Sequence, residues 1–265
     1  MDTVSDSTNR GNDDITAVIT SYNYGRYLPE AVESALREGA RVVVVDDGST
    51  EPLPELPDEV ALVRQQNQGV ARARNAGLAR AQTAYVIVLD ADDRLASGAL
   101  GALRAPLDSD AKLGFAYGRM RFFGDWEGEL HFPPYDPYAL LYRHTIGLSA
   151  LARREVFEQT GGFDPAFEQY EDWELWVNAL AHGWQGRQVG AVTVEYRRHE
   201  GSKQVRDRRA YRKAFRQLRE KHADLYRHPP TGLSWLRRPW YRFFWGYRPV
   251  PAALETALHR RHWRK

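Results

Sequence analysis

The chain has 265 residues, of which 43% are hydrophobic and 27% are charged, as is usual in folded globular proteins. It contains no cysteine, which excludes a disulfide framework, a thiolate metal site and a cysteine nucleophile. No apolar run approaches the ~18 residues of a transmembrane helix, and the first twelve residues are polar. We therefore expect a cytoplasmic protein in which residues 1–12 form a disordered leader.

Short β-branched apolar runs alternate with helical patterns through the first third of the chain. Such alternation predicts an α/β fold, in which a mostly parallel sheet is flanked by helices and joined by right-handed crossovers. The predicted elements are, in chain order, a strand over 15–20, a helix over 28–39, strands over 42–45 and 60–63, a helix over 69–81 and a strand over 85–89.

The second half of the chain is less regular, and residues 125–137 form a predicted loop rich in proline, glycine and aromatic residues. Residues 203–265 differ from the rest in charge and are treated as a separate C-terminal extension. The elements predicted here are strands over 113–121 and 149–152, a helix over 172–181, a strand over 189–196 and a basic helical stretch from residue 201 to about residue 226.

Three of the predicted strands end in groups that could bind a ligand. The first strand ends in Thr20-Ser21-Tyr22-Asn23, the second in Asp46-Asp47, and the fourth in Asp90-Ala91-Asp92-Asp93. Ligands of parallel α/β sheets bind beyond the carboxyl ends of the strands. The three polar strand ends therefore predict one active site along one edge of the sheet.

The carboxylates of Asp90, Asp92 and Asp93 repel one another unless a cation lies among them. Oxygen ligands without cysteine or clustered histidine suit Mg²⁺ or Mn²⁺, which bridge a few carboxylates to substrate phosphates. The alternative is a solvated acidic loop that caps the following helix. The preceding buried strand favours the metal interpretation, because it fixes the loop at the predicted active-site edge.

Other polar residues near this edge could recognise a nucleotide. Asp46 or Asp47 could accept a hydrogen bond from a base N–H or a ribose hydroxyl, although an Asp-Gly-Ser turn is the alternative. The ring of Tyr22 could stack on a base or simply pack. Arg72 and Arg74, near a helix start, could attract phosphate or remain solvated.

The motifs, taken together and in order, resemble the family 2 glycosyltransferases of the GT-A fold over about residues 14–202. Each motif is weak by itself, but the set of six in this order is specific. The motifs are Val18-Ile19-Thr20-Ser21-Tyr22-Asn23, Val45-Asp46-Asp47-Gly48-Ser49-Thr50, Asn67-Gln68-Gly69 with Ala73-Arg74-Asn75-Ala76-Gly77, Leu89-Asp90-Ala91-Asp92-Asp93, Gly161-Gly162-Phe163-Asp164 with Tyr170-Glu171-Asp172-Trp173-Glu174-Leu175-Trp176, and Tyr196-Arg197-Arg198-His199-Glu200-Gly201-Ser202.

The resemblance implies an inverting transfer of a sugar from a nucleotide-diphosphate sugar, expected to be a UDP-sugar, to a saccharide or lipid-linked acceptor. It also implies a divalent metal, Mn²⁺ or Mg²⁺, on the diphosphate. The synthesis of cell-surface polysaccharide or glycolipid is the expected context. We accordingly divide the chain into a catalytic domain over 13–202, with a nucleotide-sugar-binding half over 13–110 and an acceptor half over 111–202, followed by the extension over 203–265.

For the nucleoside, the resemblance places Thr20 and Tyr22 along the base. Asp47 matches the carboxylate that reads the uracil N–H, and its neighbour Asp46 can serve the fold instead.

For the diphosphate, the resemblance identifies Asp90-Ala91-Asp92 as the DXD metal motif. Asp92 matches the metal ligand, with Asp93 as an alternative ligand, and Asp90 lies nearer the ribose. His199 matches a histidine that in some relatives joins the metal or the diphosphate.

The resemblance also identifies Asp172 as the general base on the acceptor side. The chemistry is consistent with these residues: the leaving diphosphate gains charge, which a metal ion and a cation such as Arg74 can offset. The attacking hydroxyl must lose its proton, which a carboxylate within ~3 Å can accept. Without the resemblance, Asp172 could equally be an N-terminal helix cap.

The C-terminal extension is basic and aromatic. Residues 203–265 carry a net charge of +14 and four of the eight tryptophans, whereas the other 202 residues carry −12. Basic clusters with tryptophan favour anionic lipid headgroups, so we expect the extension to bind the inner face of the membrane peripherally. A homodimer formed through the extension, and a lid packed on the acidic body, are the alternatives.

Three other functions compete with this interpretation. A nucleic-acid-binding protein would leave the acid-terminated strands unexplained, and we expect no nucleic-acid partner because carboxylates repel phosphate. A sugar-1-phosphate nucleotidyltransferase would carry a glycine- and arginine-rich loop after the first strand, where this chain has Ser21-Tyr22-Asn23-Tyr24-Gly25. A non-catalytic, nucleotide-binding relative is the third. The donor sugar, the acceptor and the linkage depend on residues 115–147, whose pattern predicts none of them.

Overall fold

A computed structural model describes residues 12–199 and 208–231 of the chain. Most of the expected leader therefore lies outside the described residues, and so do the four tryptophans of the extension. Asn12 begins a short 3-10 helix, Asn12–Asp14, and its side-chain amide donates to the carbonyl of Glu38 at 2.7 Å.

The described residues form strands and helices that alternate along the chain. The strands are β1 (Ile15–Ser21), β2 (Arg41–Asp46), β3 (Ala61–Arg64), β4 (Tyr85–Asp90), β5 (Arg94–Leu95), β6 (Leu113–Gly124), β7 (Gly128–Leu130), β8 (Leu151–Arg153) and β9 (Gln185–Arg198). The helices are α1 (Leu28–Arg37), α2 (Val70–Leu78), α3 (Ala99–Ser109), α4 (Pro137–Leu140), α5 (Arg154–Thr160), α6 (Glu171–Ala181), α7 (Arg208–Lys221) and α8 (Ala223–Arg227).

The strands form one mixed sheet in the order β3-β2-β1-β4-β8-β6-β9-β5, with β7 paired to β6. The pairings among β1, β2, β3 and β4 are all parallel, as the alternation in the sequence predicts. Strand β8 runs antiparallel to both of its neighbours, and β6 runs parallel to β9. The prediction of an α/β fold is confirmed, and each antiparallel pairing involves at least one of the strands β6 to β9.

Helices cover both faces of the sheet, and every residue of β1 is therefore buried. Ile15 and Ile19 of β1 face a core that includes Leu28 of α1 and Leu100 of α3. Val18 points to the opposite face, where the other core contains the aromatic residues of α6. With both faces covered, the ends of the strands are where polar groups can meet a ligand.

The described part of the C-terminal extension is helical, as predicted, and packs on α6. The ring of Trp173 is stacked against Tyr211 at 5.1 Å and against Phe215 at 6.2 Å between centroids. Glu174 is fully buried and contacts Lys221 and His222, each at 2.9 Å. Over residues 208–227, therefore, the extension is part of the packed structure.

Within the part of the chain that is described, no helix combines the length and apolar character needed to cross a membrane.

Candidate active site

The ends of β1, β2 and β4 lie side by side, as the polar strand ends predict. Thr20 of β1 is paired with Asp90 of β4, and Ser21 is paired with Asp46 of β2. Backbone hydrogen bonds continue this alignment past the strands: Ala91 donates to the carbonyl of Thr20 at 3.2 Å, and Asp47 donates to that of Ser21 at 2.9 Å. Thr20 and Ala91 are buried, so they shape the floor of this edge.

The two carboxylates after β2 organise the neighbouring loops. Asp47 is buried, and its Oδ1 accepts hydrogen bonds from the Gln65 side chain at 2.7 Å and the Gln68 amide at 2.9 Å. Its Oδ2 accepts from the Gly69 amide at 3.0 Å, at the start of α2. Asp46 accepts from the Ser49 amide at 3.0 Å. Asp47 thus fixes the loop that leads into α2, and its base-reading role stays a prediction.

Tyr22 follows β1 at this edge, and 45% of its surface is exposed. The next residue, Asn23, has a left-handed backbone with φ of 57°. Oδ1 of Asn23 accepts from the backbone amide of Thr50 at 2.8 Å, and the backbone amide of Asn23 donates to the Ser49 hydroxyl at 2.9 Å. These bonds hold the loops after β1 and β2 together and leave the Tyr22 ring accessible to a ligand.

The acidic turn after β4 places its three carboxylates differently. Asp90 is the most accessible, with 37% of its side chain exposed. Asp92 contacts Nε2 of His199 at 3.1 Å, and burial and the charge of Asp90 raise the pKa of Asp92, against the opposing effect of His199. Asp93 is buried, and its Oδ1 accepts from the Arg197 amide of β9 at 2.9 Å. Burial, with Asp92 and Asp90, raises the pKa of Asp93 well above its ordinary value.

The structure therefore brings Asp92 and His199 together, although 107 residues separate them in the chain. The imidazole of His199 packs against Tyr24 and Tyr27, with centroids 5.7 and 5.2 Å away. Asp93 instead anchors the backbone of β9. Among residues 12–199 and 208–231, no three His, Asp or Glu side chains form a group that could hold a metal ion.

Arg74 of α2 joins the end of β4 to the start of α6. It is buried, and its Nη2 lies 2.8 Å from Asp90 while its Nη1 contacts Glu171 of α6. Burial opposes the charge of the guanidinium, but Asp90 and Glu171 outweigh it and raise the pKa of Arg74. Because Glu171 precedes Asp172, this single side chain holds the end of β4 close to the start of α6.

Asp172, the predicted general base, is paired with a histidine that the sequence did not single out. Its Oδ2 lies 2.9 Å from Nε2 of His144, and its Oδ1 accepts from the Trp173 amide at 2.8 Å. Burial favours the neutral acid, but His144 and then Arg74 outweigh it and lower the pKa of Asp172. The interpretation of Asp172 as a helix cap is wrong, because Tyr170 occupies the N-cap position and Asp172 lies within α6.

A family model described as Glycosyl transferase family 2 matches residues 16–162, more than half of the chain. The chain belongs to glycosyltransferase family 2.

Two relatives extend the match into the acceptor half. The UDP-Glc:alpha-D-GlcNAc-diphosphoundecaprenol beta-1,3-glucosyltransferase WfaP of Escherichia coli is 26% identical over 202 residues, covering 71% of this chain and 78% of that protein. The succinoglycan biosynthesis protein ExoO of Rhizobium meliloti is 32% identical over 216 residues, covering 71% of this chain and 62% of that protein.

Two solved structures share the fold of this family 2 member. The S. aureus TarS fragment 1–349 in complex with UDP-GlcNAc superposes with a TM-score of 0.59 and 18% identity, over 71% of this chain and 59% of that chain. GalNAc-T7 with UDP, GalNAc and Mn²⁺ superposes with a TM-score of 0.61 and 18% identity, over 80% of this chain and 48% of that chain. The chain thus spans less than two thirds of ExoO and of both structures. The predicted GT-A fold is confirmed.

Proposed function

We propose that this chain is an inverting glycosyltransferase that moves a sugar from a UDP-sugar to an acceptor hydroxyl in the synthesis of cell-surface polysaccharide or glycolipid. The observation that carries the proposal is the position of Arg74, which contacts both Asp90 of the DXD motif and Glu171 beside Asp172. A donor site and a proton acceptor therefore share one edge of the sheet. The names of WfaP and ExoO support the polysaccharide or glycolipid context.

The donor nucleotide, in this proposal, binds beyond β1 and β2. The exposed ring of Tyr22 supplies a surface on which a base can stack, and Thr20 forms the floor. Asp47 reads the uracil N–H with a lone pair that its bonds to the loop before α2 leave available, since a carboxylate offers about four acceptor sites. The UDP-GlcNAc bound to TarS supports the choice of uridine.

The residues beside the diphosphate fit a divalent metal. Asp92 and His199 offer a carboxylate oxygen and an imidazole nitrogen close together, and two protein ligands suffice for Mn²⁺ or Mg²⁺ when water and substrate phosphates complete the coordination. We assign Asp92 and His199 to this role, in preference to Asp93, whose Oδ1 holds β9. When bound, the ion supplies positive charge to the leaving diphosphate.

Asp172 acts as the general base. The acceptor oxygen forms a bond to the anomeric carbon while the bond from that carbon to the diphosphate oxygen breaks, and the hydroxyl proton passes to Asp172. Attack from the face opposite the leaving group inverts the anomeric configuration. The lowered pKa of Asp172 keeps its carboxylate ionised and able to accept that proton near neutral pH.

The experiment is a transfer assay with UDP-sugars and Mn²⁺, comparing wild type with Asp92→Ala, Asp172→Asn and the control Glu158→Gln. Glu158 is an exposed residue of α5 that forms a surface ion pair with Arg154 of the same helix, so its variant should keep wild-type activity. We expect the two site variants to lose transfer, Asp172→Asn by on the order of 10²–10⁴-fold. Transfer by Asp172→Asn at the wild-type rate would contradict the proposal.

Nucleotide selectivity can be tested without knowing the sugar. A ligand that binds only the folded state raises the melting temperature, and at equal concentration a tighter ligand raises it more. We expect UDP with Mn²⁺ to stabilise the protein more than GDP, CDP or ADP does. A larger shift with GDP would show that Asp47 does not select uracil.

For the extension, we propose peripheral binding to anionic membrane through residues 230–265, supported by their tryptophan and arginine content. Tyr211 and Lys221 pack on α6, so the proposal assigns the membrane contact to the segment after Pro229. In sedimentation with anionic vesicles, the full chain should pellet with the vesicles, and a truncation after Pro229 should stay in the supernatant. Equal binding of both proteins to the vesicles would exclude this role. A molecular mass in solution that rises with concentration for the full chain, but not for the truncation, would instead indicate a homodimer.

A further inference from the structure

His144 lies in the segment between α4 and β8, and no sequence motif contains it. Its Nε2 is 2.9 Å from Oδ2 of Asp172, within hydrogen-bond distance. The imidazole is enclosed by aromatic rings: Tyr170 meets it edge-on at 5.6 Å, and Trp173 is stacked at 6.2 Å. Only 26% of the His144 side chain is exposed, so neighbouring rings restrict its orientation.

The charged groups around this pair come from three elements. Helix α2 contributes Arg74, helix α6 contributes Glu171 and Asp172, and the segment before β8 contributes His144. Helix α7, which also packs here, presents the aromatic ring of Tyr211 to Trp173. Burial lowers the pKa of His144, but Asp172 and then Glu171 outweigh it and raise the pKa. Arg74 and, when protonated, His144 therefore place positive charge beside Glu171 and Asp172 at the start of α6, and Arg74 also contacts Asp90.

We propose that His144 is a positioning residue for the general base: its protonated imidazole donates to Oδ2 of Asp172, fixes the carboxylate, and keeps it ionised for the acceptor hydroxyl. The acceptor proton goes to Asp172, and His144 itself does not touch the reacting atoms. The assignment rests on the proposed function, and it adds to that function a residue outside every motif.

The test is the pH dependence of kcat/KM for wild type, His144→Ala and His144→Gln with a UDP-sugar, an acceptor and Mn²⁺. The acidic limb of this profile reports protonation of the essential base in the free enzyme. Without the imidazolium, burial of Asp172 is opposed only in part, by Arg74 and the Trp173 amide, so the limb should move to higher pH by about one unit or more in both variants. At the plateau, kcat should fall while KM for the donor stays within about twofold, and the loss should be smaller than the ~10²–10⁴-fold loss of Asp172→Asn.

His144→Gln separates position from charge, because its amide can still donate to Asp172 but carries no charge. We expect it to recover part of kcat while its acidic limb stays displaced. His182→Ala is the matched control: His182 is exposed at the other end of α6, ~16 Å along an eleven-residue helix, and should leave both kcat and the limb unchanged.

The outcomes distinguish this inference from the proposed function. If Asp172→Asn is inactive and the limb does not move in either His144 variant, the positioning role is refuted while the proposed function stands. If Asp172→Asn transfers sugar at the wild-type rate, the proposed function itself fails. Thermal unfolding with and without UDP shows whether each variant is folded and binds donor, and a His144→Ala that unfolds leaves His144→Gln to decide the question.

Discussion

Replacing Arg74 by methionine should destabilise the whole catalytic domain rather than only weaken substrate binding. The guanidinium is 4% exposed and contacts Asp90 and Glu171, so the substitution leaves two carboxylates without their cation. Methionine has a similar length and can pack against Phe163, over whose ring the guanidinium lies at 5.3 Å. The loss therefore measures mainly the missing charge.

The burial of each partner sets the magnitude. Removing one member of a buried ion pair costs about 3–5 kcal/mol, and an exposed pair contributes about 0–1 kcal/mol. The Glu171 side chain is 12% exposed and belongs to the first class, whereas Asp90, at 37%, is closer to the second. We expect Arg74→Met to lower the free energy of unfolding by about 3–4 kcal/mol. At roughly 2–4 °C per kcal/mol, the melting temperature should fall by about 10 °C.

The assay is urea unfolding of wild type, Arg74→Met and the triple variant Arg74→Met, Asp90→Asn, Glu171→Gln at neutral pH. The triple variant carries amides where the single variant has unpaired carboxylates, so it should regain at least half of the lost free energy. A loss below about 1 kcal/mol in the single variant, with no recovery in the triple, would refute the bridging role. Weaker UDP binding without loss of stability would then assign Arg74 to the diphosphate.

Two further predictions concern stability. Gly77→Ala should destabilise the protein by about 1–3 kcal/mol in thermal unfolding, because a Cβ at this position would lie 2.2 Å from Cγ1 of buried Val18. A Cβ at Gly101 would meet nothing within 4 Å, so the control Gly101→Ala should be neutral or stabilising. Burial opposes ionisation of Asp164, but Lys221 at 2.7 Å outweighs it and lowers the pKa of Asp164. The ion pair therefore stabilises the fold above the unfolded-state pKa of Asp164, and this stabilisation is lost as pH falls through the folded-state pKa. We expect Asp164→Asn to lower the free energy of unfolding by about 0.5–1 kcal/mol at pH 7 and not to change it near pH 2. An equal loss at both pH values would contradict this prediction.

Local sequence patterns predicted the first half of the fold well, because β1, β2 and β4 are buried on both faces and consist of continuous apolar runs. Val42 to Val45 and Tyr85 to Leu89 are such runs, and the structure extends each by a residue or two. Helix α3 was not predicted, since Pro106 lies inside it and glycine precedes it. Strand β7 has three residues, too few to show an alternation.

The site was predictable only where its residues follow strands. Parallel pairing puts Thr20, Asp46 and Asp90 at one edge, and this follows from the order of elements. The contacts of His144 with Asp172 and of Arg74 with Glu171 span 28 and 97 residues. Such contacts depend on how helices pack, which periodicity does not encode. The pairing of His144 with Asp172 had no local signal at all.

The packing of α7 and His222 on α6 decides which piece of the chain can fold alone. A fragment ending at residue 162, where the family match stops, would lack Asp172 together with its helix. A fragment ending at residue 202 would keep Asp172 but remove the rings stacked on Trp173 and the Lys221 and His222 partners of Glu174. We therefore expect the smallest fragment that folds on its own to reach at least His222, so that α7 belongs to the same packed unit as the sheet.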